Sequence, residues 1–319
     1  MKKKIYITRK LPDYIAKEYS EDYDIKMWDK AETPVPREVL LEEVQNVDAL
    51  FSTLSEQIDR ELFEAGKNLK IVSNLAVGFD NIDLDVAKEF GVPVTNTPDV
   101  LTETTADLAF ALLMATARRL IEGHECIQDD KWGDWAPFML AGTDIHHKTI
   151  GIVGMGRIGE EVAKRAKGFN MNILYHNRSR KAEFETVVEA DYKEFDELIA
   201  ESDFVVSLLP LTKETKQKFN KEVFKKMKKT AIFINVSRGG VVNETDLYDA
   251  LVAGEIHAAG LDVFKNEPIT SHHPLATLKN VVALPHIGSA SIETREAMIN
   301  LCFKNIDAVL SGNKPLTEI

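Results

Sequence analysis

Short apolar runs rich in β-branched residues recur along the chain, and between them apolar residues return at every third or fourth position. The first pattern fits strands buried on both faces, the second fits helices packed along one side. In the first third, KIYIT, DYDIKMW, VDALFST, LKIVSNL and VPVTN read as strands, with PREVLLEEVQ and DRELFEAG as helices between them. Strands alternating with helices indicate βαβ units and a parallel sheet. Residues 101–122, LTETTADLAFALLMATARRLIE, read as one long helix with Thr102 as its N-cap and Gly123 as its stop. That helix is apolar nearly all round, so it is either buried or shared with another subunit. The segment 127–147 shows no period and holds two of the three tryptophans, as expected of a functional or interfacial loop.

A second series follows from about 148 to 286: KTIGIVG, NILYH, SDFVVSLL, TAIFINVS, IHAAGLDVF and NVVALPH. Six strands with helices between them make one complete doubly wound domain. Residues 287–319 are largely one helix and a tail, too short for a domain, and are expected to return to the N-terminal one. The predicted fold is therefore α/β, with two doubly wound parallel-sheet domains. A Rossmann domain, 99–286, is inserted into a flavodoxin-like substrate domain made of 1–98 and 287–319. The length of 319 residues agrees, because single cores stop growing at about 250–300 residues.

The net charge of −12 argues against nucleic acid or an anionic membrane as the main partner. The basic stretch KQKFNKEVFKKMKK at 216–229 interleaves Phe219, Val223, Phe224 and Met227 at helical spacing, so it reads as a solvated helix face. Two cysteines, Cys126 and Cys302, exclude a disulfide framework and suit a reducing cytoplasm. No signal-peptide pattern is seen, and no apolar run approaches the ~18 residues of a membrane span. A cytoplasmic protein is expected.

GIVGMGRIG at 151–159 places Gly154, Gly156 and Gly159 in the G-x-G-x-x-G spacing, after the strand TIGIV and before an amphipathic helix. That context is what a dinucleotide fingerprint requires. Gly154 permits the tight turn, Gly156 lets backbone approach a pyrophosphate, and Gly159 lets helix and strand pack closely. The loop residues Met155, Arg157 and Ile158 join the expected contacts, since helix N-terminal N–H groups face the anion. In NAD-binding versions an acid about 20 residues on accepts from the ribose 2′-OH. Here that position is Asn177, followed by Arg178, Ser179 and Arg180. A carboxylate would repel a 2′-phosphate, whereas a guanidinium fork and a hydroxyl suit one, so the site reads as built for NADP(H), with NADPH preferred over NADH.

Three later segments end strands with chemistry-bearing groups. INVSRGG brings Arg238, LDVFKNEP brings Asp262 and Glu267, and LPHIGSA brings His286. Open α/β sheets bind ligands outside the carboxyl ends of their strands, so these groups are expected on one rim. Hydride transfer to a 2-oxo acid requires that set. An arginine holds the substrate carboxylate and polarises its carbonyl, and a histidine donates the proton. A carboxylate against the far imidazole nitrogen orients the ring and favours its charged form. No Cys, His and acid spacing suggests zinc, and no metal is assigned.

These motifs, with NLAVGFDNID at 74–83, resemble the D-isomer-specific 2-hydroxyacid dehydrogenase family nearly end to end, and within it the glyoxylate/hydroxypyruvate reductases. The resemblance implies that Arg238, Glu267 and His286 are catalytic and that Asp262 meets the nicotinamide carboxamide. It places Val77 and Gly78 in the loop whose N–H groups hold the substrate carboxylate, and Leu54 in the substrate pocket. Trp135 matches a residue that reaches a neighbouring subunit's site, and Thr105 falls where the long helix meets the cofactor. Pro210, Val236, Ser237 and Gly288 join the implied cofactor contacts. A homodimer formed through the 101–147 helix and loop is implied, with a small 2-oxo or 2-hydroxy acid as substrate. Many relatives have an aspartate where this chain has Asn243, which leaves the tuning of Arg238 open. Other members, such as phosphoglycerate dehydrogenases or enzymes of bulkier 2-oxo acids, stay open as alternatives, as does a dinucleotide-sensing binding protein.

Overall fold

The computed structural model describes residues 2–319. Two compact units divide it: one runs to Leu101 and takes up Ser291–Ile319, and the other is Thr102–Ala290. The crossings fall three and four residues beyond the expected 98/99 and 286/287. Helix α5 (Thr102–Ala117) opens the second unit, and the helix capped by Ser291 reopens the first.

In the first unit, β1 (Lys3–Ile7), β2 (Tyr23–Met27), β3 (Ala49–Ser52), β4 (Ile71–Asn74) and β5 (Val94–Thr95) form a parallel sheet in the order β2-β1-β3-β4-β5. Helices α1 (Asp13–Tyr19), α2 (Arg37–Glu43), α3 (Arg60–Ala65) and α4 (Leu84–Phe90) connect them. β3 and β4 are buried at every residue, which is why they read as unbroken apolar runs. The closing helix α12 (Ile292–Leu310) belongs to this unit, as expected. Phe303 stacks on Tyr19 at 3.7 Å and meets Phe51 edge-on, while the Tyr23 hydroxyl donates to Asp307 at 2.6 Å.

The second unit holds seven parallel strands in the order β12-β11-β10-β9-β6-β7-β8. They are β6 (Thr149–Val153), β7 (Asn172–His176), β8 (Ala190–Tyr192), β9 (Phe204–Ser207), β10 (Ile232–Asn235), β11 (Ala258–Leu261) and β12 (Val281–Ala283). Six were expected. The addition, β8, is a three-residue edge strand too short for any period, held by its ladder to β7 and by Tyr192 against the Tyr175 ring. The helices are α6 (Leu120–Gln128), α7 (Arg157–Gly168), α8 (Ala182–Val188), α9 (Phe195–Glu201), α10 (Lys221–Lys226) and α11 (Glu244–Val252), besides α5.

Two helical expectations need correction. The 101–122 helix breaks at Arg119, whose φ of 53° is left-handed and whose guanidinium is clasped by both Glu122 oxygens. Gly123 then lies inside α6 rather than ending a helix. The helix expected within 216–229 is confined to α10, because Asn220 caps it by accepting from the N–H groups of Glu222 and Val223. Phe219, Val223, Phe224 and Met227 are all buried beneath its lysines.

Candidate active site

Order reverses in the seven-stranded sheet between β6 and β9, and the glycine turn leaves β6 at that reversal. Gly154 has φ +106°, and a Cβ there would lie 2.8 Å from the Leu208 carbonyl oxygen beyond β9. Only glycine fits on both counts. A Cβ on Gly159 would meet the Gly154 carbonyl oxygen at 2.6 Å, so α7 sits hard against the turn. Gly156, by contrast, faces open space and caps α7 with no side-chain bond. A shallow backbone cradle with helix N–H groups behind it fits a diphosphate. Met155 offers only its backbone to that cradle, since its side chain is fully buried in the core. Arg157 is exposed and Ile158 packs on the core.

Asn177, expected near the ribose, clasps the turn itself. Its Oδ1 accepts the Met155 N–H at 2.9 Å and its Nδ2 donates to the Met155 carbonyl at 2.8 Å. Arg178 and Ser179 are exposed beyond it. Arg180 is engaged by Glu185 through two bonds of 2.6 and 2.7 Å, and Glu185 also accepts from the Tyr175 hydroxyl. The Arg180 bond first, then the Tyr175 bond, hold the Glu185 carboxyl down at about 2.

The three catalytic candidates meet in this unit. His286 Nδ1 lies 2.7 Å from Glu267 Oε2, and Glu267 Oε1 accepts the Phe264 N–H at 2.8 Å. Burial pushes the Glu267 carboxyl up, but the His286 bond, the Phe264 N–H and the Arg238 charge outweigh it, and the net shift is downward. An ionised acceptor fixes the tautomer: Nδ1 carries hydrogen and Nε2 is left for chemistry. His286 has a left-handed φ of 55°, strain of about 1–3 kcal/mol that its surroundings must impose. Asp262 imposes it. Its carbonyl accepts the His286 N–H, and its carboxylate oxygens take the N–H groups of Ile287 and Gly288, each at 2.8 Å. Burial raises the Asp262 carboxyl against those two bonds. Both oxygens therefore brace the histidine turn, a role that sequence reasoning did not foresee.

Arg238 follows β10, with its carbonyl held by Asn235 Nδ2 at 3.0 Å and the Ser237 hydroxyl donating to Asn235 Oδ1 at 2.8 Å. Gly239 lets this turn approach the Glu267 loop, since a Cβ would lie 1.8 Å from the Phe264 carbonyl carbon. Asn243 caps α11 by accepting the Asp246 N–H, which an aspartate would do equally well. Thr105 is buried on α5, with its methyl 3.5 Å from where a Gly288 Cβ would stand. Val236 is buried in the core, and Pro210 is exposed after β9. In the first unit Leu54 is exposed, and the carbonyls of Val77 and Gly78 accept from Asn96 and Asn74. Trp135 is 77% exposed. Among the described residues no group of His, Cys, Asp and Glu is placed to hold a metal, and no helix is long and apolar enough to cross a membrane.

A doubly wound sheet with a diphosphate cradle and a histidine–carboxylate pair defines a dinucleotide-binding oxidoreductase. The profile of the D-isomer specific 2-hydroxyacid dehydrogenase NAD-binding domain matches residues 110–288. The glyoxylate reductases of Pyrococcus horikoshii and Thermococcus onnurineus are each 50% identical over 100% of this chain and 96% of their own. Among solved structures, the TT0316 protein of Thermus thermophilus superposes with a TM-score of 0.93 at 40% identity, covering 99% of both chains. The NADPH-dependent glyoxylate/hydroxypyruvate reductase of Sinorhizobium meliloti, in complex with NADP and malonate, gives 0.87 at 31% identity over 100% of this chain and 97% of that one. The chain belongs to the D-isomer-specific 2-hydroxyacid dehydrogenase family.

Proposed function

We propose that the protein reduces a small 2-oxo acid, glyoxylate or hydroxypyruvate, with NADPH as electron donor. The observation that carries this reading is the 2.7 Å His286–Glu267 pair under the charge of Arg238. The dinucleotide, when bound, supplies the hydride equivalent. Arg238 holds the substrate carboxylate and polarises the carbonyl, and His286 gives its Nε2 proton to the carbonyl oxygen. Glu267 keeps the ring oriented and balances the imidazolium before transfer. Val77 and Gly78 bind the carboxylate through backbone N–H groups, and Leu54 contacts the substrate. Thr105, Pro210, Val236, Ser237, Asp262 and Gly288 complete the dinucleotide contacts in this reading. A second copy joins through 101–147, where exposed Trp132, Trp135 and Phe138 favour burial against a partner.

The preference for NADPH rests on Arg178 and Ser179 as ligands of a 2′-phosphate. The S. meliloti relative, NADPH-dependent by its description, supports the same reading. The test is oxidation of NADPH and of NADH followed at the nicotinamide absorbance band, with a panel of 2-oxo acids. Arg178→Asp is expected to cut the NADPH preference by roughly 10- to 100-fold, since a hydrogen bond to a charged group contributes about 1.5–3 kcal/mol. Unchanged selectivity would remove Arg178 from the phosphate site, and a native preference for NADH would overturn the cofactor reading.

A further inference from the structure

The sheet of the first unit also reverses order, between β1 and β3. Ligands of open α/β sheets bind outside the strand ends at such a reversal. The chain leaves β1 through Thr8 and Arg9, and leaves β3 through the turn Thr53–Glu56 that carries Leu54. Between them stands a buried carboxylate. Glu56 is 4% exposed, and its Oε2 accepts the Thr8 hydroxyl at 2.8 Å, the Thr53 N–H at 2.7 Å and the Thr53 hydroxyl at 2.9 Å. Its Oε1 accepts Arg9 Nη1 at 2.6 Å, and Arg9 also donates to the Thr8 carbonyl.

The same turn is tied to the other substrate loop. Asn81 Nδ2 donates to the carbonyls of Thr53 at 3.2 Å and Glu56 at 2.8 Å, and its own carbonyl accepts the Ile58 N–H. Asn74 Nδ2 donates to the Gly78 carbonyl while its Oδ1 accepts from Ser52 at the end of β3. The segments 53–56 and 77–81 are therefore tied to each other by direct hydrogen bonds.

We propose that Arg9, Glu56 and Asn81 form a positioning network that sets both substrate loops, and through them which 2-oxo acids are accepted. The inference rests on the proposed substrate role of Leu54, Val77 and Gly78. A buried ion pair is a poor means of stabilisation, because well-packed apolar residues serve as well or better. What a carboxylate offers here is geometry: two oxygens satisfy donors that follow two different strands, Thr8 and Arg9 after β1 and Thr53 after β3. Glutamine keeps the shape but has a single acceptor oxygen. It serves either Arg9 or the Thr53 N–H, and the turn loosens.

The experiment compares Glu56→Gln, Asn81→Ala and Leu54→Ala with the native enzyme across glyoxylate, hydroxypyruvate and a branched 2-oxo acid. Glu56→Gln is expected to raise KM for the small acids by about tenfold and to narrow discrimination against the branched one, with kcat and the KM for NADPH nearly unchanged. A lowered unfolding temperature with KM and discrimination intact would overturn the network as a positioning device. If Leu54→Ala shifts discrimination and the other two do not, the network alone falls. If Leu54→Ala shifts nothing, the substrate reading of that loop falls and takes the inference with it. Should Glu56→Gln fail to fold, Asn81→Ala is measured in the same way, and unchanged KM and discrimination in that variant would overturn the network.

Discussion

Gly239→Ala tests the geometry on which the proposed chemistry depends. The added methyl would stand 1.8 Å from the Phe264 carbonyl carbon, 2.1 Å from its oxygen and 2.3 Å from Lys265 N. Carbon contacts settle near 3.5–4.0 Å, so the two segments must separate by roughly 2 Å. Neither segment yields easily. The Phe264 N–H is held by Glu267, and the Lys265 N–H by Glu244 at 2.6 Å. Overpacking of this kind costs about 1–3 kcal/mol. In a unit running from 102 to 290, each kcal/mol lowers the melting temperature by about 2–4 °C. The larger effect falls on turnover. Arg238 precedes the glycine and Glu267 holds the displaced loop, so the separation pulls Arg238, the proposed holder of the substrate carboxylate, away from the His286 pair. A misplacement of about 1 Å costs roughly 10²-fold, so kcat/KM is expected to fall by at least that factor. NADPH affinity, read by fluorescence titration, is expected to fall far less than kcat/KM, because the glycine cradle follows β6 and only the proposed contacts at Val236 and Ser237 adjoin the displaced turn. Gly168→Ala is the matched control, with no atom within 4 Å of the new methyl and an expected stability change within about 0.5 kcal/mol. Native kcat/KM in Gly239→Ala would show that Arg238 and Glu267 need not be held together, and would refute the proposed division of roles.

His286→Ala is expected to lower turnover by roughly 10²–10⁴ with NADPH affinity intact, checked by pre-steady-state absorbance; a near-normal rate would exclude it as the proton donor. Glu185 contributes one acid-dependent part of the stability. Its folded value of about 2 lies below the ordinary 4.5, so its stabilisation is present above 4.5 and lost as pH falls toward 2. Glu185→Gln should flatten that part of the unfolding-temperature profile, and an unchanged slope would contradict the Arg180 and Tyr175 bonds as its cause.

The strands were legible because parallel sheets buried on both faces demand unbroken apolar runs, and β3, β4, β9 and β10 are buried at every residue. β8 left no such signal, since three residues at an edge need no pattern. The break at Arg119 was not legible either. No glycine or proline marks it, and the left-handed turn is stabilised by an ion pair to Glu122 three residues on. The catalytic candidates could be proposed from sequence because Arg238 and His286 follow closely on β10 and β12 and Glu267 lies in the loop after β11, and strand ends of one parallel sheet face one rim. What escaped the sequence was long-range support. Asp262 bracing the 286–288 turn, Glu56 joining two strand ends and Gly239 under Phe264 each pair residues whose separation follows no period.

Asn177 shows how that support changes an inference. Its lack of charge reads, from sequence, as the removal of an acid that would repel a phosphate. In the folded chain its amide donates to one Met155 group and accepts from the other. A carboxylate there would accept the N–H but face the Met155 carbonyl, 2.8 Å from the present nitrogen, with a second oxygen. The turn alone therefore calls for an amide, whatever the cofactor carries. Arg180 is likewise committed to Glu185. Of Asn177, Arg178, Ser179 and Arg180, it is Arg178 and Ser179 that carry the argument for a 2′-phosphate, so exchanging Arg178 alone tests the cofactor reading without disturbing the glycine turn.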